Sequence, residues 1–156
     1  ALIVGRLLFG KADLTLILNG ALAGLVAITA GPLAPSPQAA SLIGATGGGL
    51  VVFAIIILDK LRLDDPVGAI SVHGVVGIWC LLAVPLTQAE ASLGAQLAGI
   101  GTILGWVFLS SLLIWFLLKV TLGLRVSEEA EWEGLDVSEC GLAAYPEFIG
   151  AKGSGL

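Results

Sequence analysis

The stretch VGAISVHGVVGIWCLLAVPL, residues 67–86, decides the fold class. It carries no Asp, Glu, Lys or Arg, and its one titratable side chain outside Cys80 is His73. A helix of roughly 20 apolar residues is what a bilayer crossing takes. Three further runs of that kind flank it: Leu14 to Ala34, Ala39 to Leu58, and Leu93 to Leu118. The last is long enough to tilt or to extend past the hydrocarbon. Residues 1–9, ALIVGRLLF, read as the end of a preceding helix, because Arg6 interrupts the run and no cleavage signal follows. The runs are continuous, whereas barrel strands are shorter and alternate. The expectation is therefore an all-α, polytopic transmembrane bundle. It comprises a membrane region over 1–121 and a polar tail over 122–156.

Composition agrees. The charged fraction is 12%, against roughly 25% in soluble domains. The 156 residues include 22 glycines, which let membrane helices approach closely. The net charge of −5 shows none of the clustered basic residues that a nucleic-acid partner requires; the expected surroundings are lipid. Cys80 falls in an apolar run and Cys140 in the tail, so a disulfide between them is not expected.

Charge placement orients the bundle. Arg6 and Lys11 precede the first full span, Lys60 and Arg62 lie between the second and third, and Lys119, Arg125 and Lys152 follow the fourth. The loops near Pro35 and Glu90 have no Lys or Arg. The positive-inside rule puts the tail in the cytoplasm and those two loops outside. Glycine pairs four apart, Gly20/Gly24, Gly44/Gly48 and Gly101/Gly105, each set two glycines on one helix face for close packing.

An ionisable residue within a membrane span is by default a functional-site candidate. Burial disfavours the imidazolium, so His73 is expected neutral, with one donor and one acceptor nitrogen. Such a ring can line a pore and pass a proton without a permanent charge; an ordinary packed histidine is the alternative. Asp65 and Pro66 suit a helix cap and first turn. Asn19, Thr29, Thr46 and Ser71 are the other polar groups within spans, each able to bond backbone. In the tail, Ser127-Glu128-Glu129-Ala130 offers a helix start and Gly134 an end. No nucleophile–base set, metal cluster or phosphate loop is present, so neither an enzyme nor a bound metal or cofactor is expected. One histidine also falls short of the pair of axial ligands that a haem between helices often takes.

DDPVGAISVHGVVGIW (64–79), NGALAGLVAITAG (19–31) and GLRVSEEAEWEGLDVSECGLAAYP (123–146) together resemble the ammonium transporter family (Amt/Mep/Rh), in its bacterial Amt branch. The resemblance implies an eleven-helix inverted-repeat transporter of ammonium or ammonia in the plasma membrane, assembled as a homotrimer. This chain would supply the end of helix seven through helix eleven and the cytoplasmic tail. His73 matches the second of the family's twin pore histidines. Ala69 and Ile70 would sit near the lower pore, and Asn19 falls at a polar lower-pore position. Arg125, Glu128, Glu129, Gly134, Asp136 and Ser138 lie in the tail that couples subunits, where PII-type signalling proteins act on some relatives. Ser138 stands where plant relatives carry a phosphorylatable threonine. The alternative function is an ammonium sensor signalling through the tail.

Overall fold

The computed structural model describes residues 1–32 and 36–146. Leu33, Ala34 and Pro35, at the expected loop, and residues 147–156 with Lys152 lie outside the described residues. Among the described residues all regular structure is helical. Two compact units, residues 1–106 and 107–156, are considered separately.

In the first unit, α1 (Leu2–Phe9), α2 (Leu14–Ile28) and α3 (Pro37–Lys60) are followed by a π-helical segment (Ile70–Val75) that leads directly into α4 (Val76–Ala83). A 3₁₀ turn, Val84–Leu86, ends that span, and α5 (Leu93–Thr121) comes next, its residues beyond Trp106 falling in the second unit. Asp13 caps α2 by accepting from Leu16 N–H. Ser36 caps α3 ahead of Pro37, whose missing N–H is harmless in a first turn. The helix therefore begins inside the stretch expected as loop.

The helix of the first full span stops at Ile28, short of Ala34. There Thr29 N–H and Gly31 N–H fold back three residues to Val26 and Ile28 carbonyls. Ala30 N–H, which the helix would otherwise satisfy, donates to the buried Cys80 sulfur at 3.1 Å. The irregular backbone here keeps these N–H groups paired, with turn carbonyls and with the Cys80 sulfur. Cys80 and Cys140 are both free thiols, one buried and one exposed.

The core joins α2, α3, the π segment and α4. It consists of Ala23, Ala27, Ile43, Val51, Val52, Val72, Val76 and Ala83. Three of these are alanines and five are Val or Ile, and glycines let the α2 and α3 backbones run close together. A Cβ built on Gly44 would lie 3.3 Å from Gly24 O, and one on Gly48 would lie 3.3 Å from Gly20 O. The two glycine pairs thus face each other in antiparallel register. Trp79 Nε1–H donates to Ile43 O at 3.1 Å and ties α4 to α3.

The helices α3 and α5 are long and apolar enough to cross a membrane. Along α5 most side chains are exposed, including Trp106 and Trp115, while Ile100 is buried. A helix apolar all round belongs in lipid or in a larger core.

In the second unit, α6 (Glu128–Glu133) and α7 (Leu135–Cys140) meet at Gly134, whose φ of 100° is in the region open to glycine. Ser127 caps α6 through Ala130 N–H, and Gly134 ends it, as the sequence suggests.

Candidate functional site

The third span does not start as a regular helix. Pro66 lies in a turn ahead of it rather than in its first helical turn, and Gly68 adopts a φ of 76°. Glycine suits this position, and any other residue would also displace the Asn19 side chain. The backbone is left-handed, and a Cβ would come 2.8 Å from both polar atoms of the Asn19 amide. Asp65 does act as a cap, but from five and six residues upstream. Its Oδ1 accepts from Ile70 N–H at 3.0 Å, and its Oδ2 accepts from Ser71 N–H at 2.9 Å and Ser71 Oγ–H at 2.8 Å. Partial burial pushes the Asp65 carboxyl up. The opposing bonds from Ser71, Ile70 and Ala69 outweigh that and hold it below the ordinary carboxylate value. Asp65 therefore favours its charged form when folded. The stability this contributes is full above the unfolded carboxylate range and is lost as pH falls through the lowered value.

The clamp holds the first two residues of the π segment, and that segment sets where His73 points. On α4 the buried side chains are Val76, Cys80 and Ala83. An α-helix turns about 100° per residue, so extending α4 upstream would set His73, three before Val76 and seven before Cys80, on this packed face. Ser71 would fall on the opposite side. The structure has the reverse: Ser71 and Val72 are buried and His73 is exposed. A π-helix turns only about 80° per residue, which brings Ser71 onto the packed face and carries His73 off it. Ala69 and Ile70 are exposed with His73. Gly74 and Gly77 add no side chain beside the ring.

Asn19 is 6% exposed and opens into a cleft of about 450 Å³ at one end of this unit. Lys11, Asp13, Asp59, Asp64 and Asp65 line the same cleft. The loops after α1 and α3, which the charge pattern assigned to one side, therefore do share an end. The Asn19 side chain makes no hydrogen bond among the described residues. Thr29 and Thr46 bond carbonyls of their own helices, as expected of such residues. Ser71 instead bonds Asp65. Its type gave no hint of this, since the bond depends on the turn at 66–68. No group of three or more metal-ligating side chains occurs among the described residues.

The tail residues form a small self-contained structure. Arg125 pairs with Glu131 at 3.7 Å across an exposed surface. Glu128 and Glu129 occupy the first turn of α6, where carboxylates suit the helix dipole. Asp136 accepts from Ala144 N–H at 2.7 Å, and this bond holds its carboxyl below the ordinary value. Ser138 is exposed on α7.

A model of the Ammonium Transporter Family matches residues 1–145. The chain is 38% identical to ammonium transporter Amt1 of Haloferax mediterranei over 98% of its own length. It is 35% identical to ammonium transporter Amt2 of Archaeoglobus fulgidus over 90%. A solved structure described as a sensor Amt protein superposes with a TM-score of 0.80 at 35% identity, covering 88% of this chain. The chain spans 31% and 34% of the length of the two archaeal relatives, and 37% of the solved one.

Proposed function

The chain belongs to the ammonium transporter family, and from that premise we propose that it carries one wall of a path conducting ammonium, or ammonia and its proton, across the cell membrane. The observation that carries this reading is the exposure of His73 on a helix packed by its other face. An ammonium ion entering an apolar path loses hydration that nothing there replaces, whereas neutral ammonia loses far less. An imidazole, with one donor and one acceptor nitrogen, can hold the amine or relay its proton. In this reading Ala69 and Ile70 lie beside the path on the side that faces the cytoplasm. The acidic cleft with Asn19 is its inner mouth, where carboxylates raise the local concentration of cations.

The finer architecture rests on the same premise. The region 1–121 is the membrane part, and 122–156 is a cytoplasmic tail. The helices correspond to the end of helix seven through helix eleven of an eleven-helix, inverted-repeat subunit, working as a homotrimer. The tail, with Arg125, Glu128, Glu129, Gly134, Asp136 and Ser138, is where neighbouring subunits and a PII-type protein would act. The shape of that tail, two short helices hinged at Gly134, suits a contact element.

A second reading is ammonium sensing through the tail, favoured by the likeness to the sensor Amt protein. Uptake of labelled methylammonium by the intact protein in its own membrane tests the first. His73→Ala should lower uptake at least about tenfold or alter its selectivity for the amine over potassium. Unchanged flux and selectivity would end the transport reading. Wild-type protein that signals but moves no methylammonium would establish the second.

A further inference from the structure

We propose that Ser71 is a positioning residue, whose hydroxyl bond to Asp65 holds residues 70–75 in the π register and thereby keeps His73 out of the packed face. The inference rests on the reading of His73 as a pore residue.

The segment is fixed at both ends. Downstream, α4 cannot rotate freely, because Trp79 Nε1–H is bonded to Ile43 O and Cys80 sulfur receives Ala30 N–H. Upstream, the Asp65 carboxylate takes three hydrogen bonds from Ile70 and Ser71. Between these anchors the backbone holds one residue more than an α-helix would, and the π turn absorbs it.

Two registers compete for that residue. In the π register Ser71 is fully buried with its hydroxyl paired to a carboxylate, and His73 is exposed. In the α register Ser71 swings out and loses the bond, while the His73 ring turns toward Val76 and Cys80. Val76 has no polar side-chain atom and the Cys80 sulfur is already bonded to Ala30 N–H, so the ring nitrogens would lack partners there. Two backbone N–H groups also hold Asp65. The hydroxyl is the one contribution to the clamp that belongs to a side chain on the π segment, so it is the contribution that depends on which way Ser71 faces.

The test is Ser71→Ala in the intact protein, read by structure determination in lipid and by methylammonium uptake at matched membrane abundance. The expected structure has residues 70–75 shifted toward α, with His73 turned onto the Val76 face. Expected uptake falls about tenfold, the population change that loss of one hydrogen bond to a charged group can bring. In a His73→Ala background the same change should cause no further loss. A variant that keeps the π turn with His73 outside overturns the proposal, as does a Ser71→Ala loss that adds fully to that of His73→Ala. Should Ser71→Ala fail to reach the membrane, Asp65→Asn, which keeps the shape of the acceptor and removes its charge, carries the same measurements. If the register shifts as expected while His73→Ala leaves uptake intact, the transport reading fails and the positioning role of Ser71 stands.

Discussion

The α2–α3 crossing and the helix α5 carry the same glycine spacing and put it to opposite use. Gly44 and Gly48 lie against the carbonyls of Gly24 and Gly20, and Gly24 lies against the carbonyl of Gly44. A Cβ built on Gly101 or Gly105 meets no atom within 4 Å among the described residues. The difference is not in the motif, since four-residue spacing places two small residues on one face in every case. It lies in the partner. Helices α2 and α3 run antiparallel, so one shallow face finds another. Helix α5 is apolar along its length, and Gly101 and Gly105 meet no facing helix among the described residues. Small-residue spacing is permission for close approach, and a second matching face turns permission into contact.

That comparison can be broken at its tightest point. A Cβ on Gly47 would lie 2.6 Å from Ala27 Cβ and 3.0 Å from both Ala23 O and Val76 Cγ1. Gly47→Leu must therefore push α2 and α4 off α3, and a loss of about 3 kcal/mol is expected. Thermal unfolding in detergent checks it, and a melting curve like that of the wild type would show that the crossing carries no stability. Gly44→Ala is milder. Its new Cβ meets Gly24 O at 3.3 Å, which a shift of a few tenths of an ångström relieves, so about 1 kcal/mol should be lost in the same assay. The smallest effect belongs to Gly101→Ala. With no neighbour to displace, replacing glycine in a helix interior should leave stability unchanged or raise it by up to about 1 kcal/mol. A drop at Gly101 equal to that at Gly44 would erase the distinction between the two regions.

The tail makes a quieter contrast with both. Its helices are short, and local hydrogen bonds rather than burial define them: Ser127 to Ala130, and Asp136 to Ala144. The Arg125–Glu131 pair is exposed on both partners, so screening leaves it little weight. A structure built this way is readable from its capping residues alone, and the start at Ser127 and the end at Gly134 were both legible.

Much of the rest was also written in the chain. Uninterrupted apolar runs dictate helices in a bilayer, because an unpaired backbone group there has no water to turn to. Basic residues before α2 and after α3 signal a shared end, and the cleft that Lys11 and Asp59 both line confirms it. A lone histidine within such a run marks itself as the residue to explain. What periodicity could not supply was the direction of that histidine. Read with an α-helical period, residues 69–83 put His73 on the packed face and Ser71 outside. The opposite holds because a carboxylate at residue 65 reaches over the turn at Gly68 to seize Ser71, while Trp79 and Cys80 fix the helix beyond. Each of those contacts joins residues that sequence spacing does not relate. A helix anchored at both ends with one residue too many must widen, and only the tertiary anchors determine where.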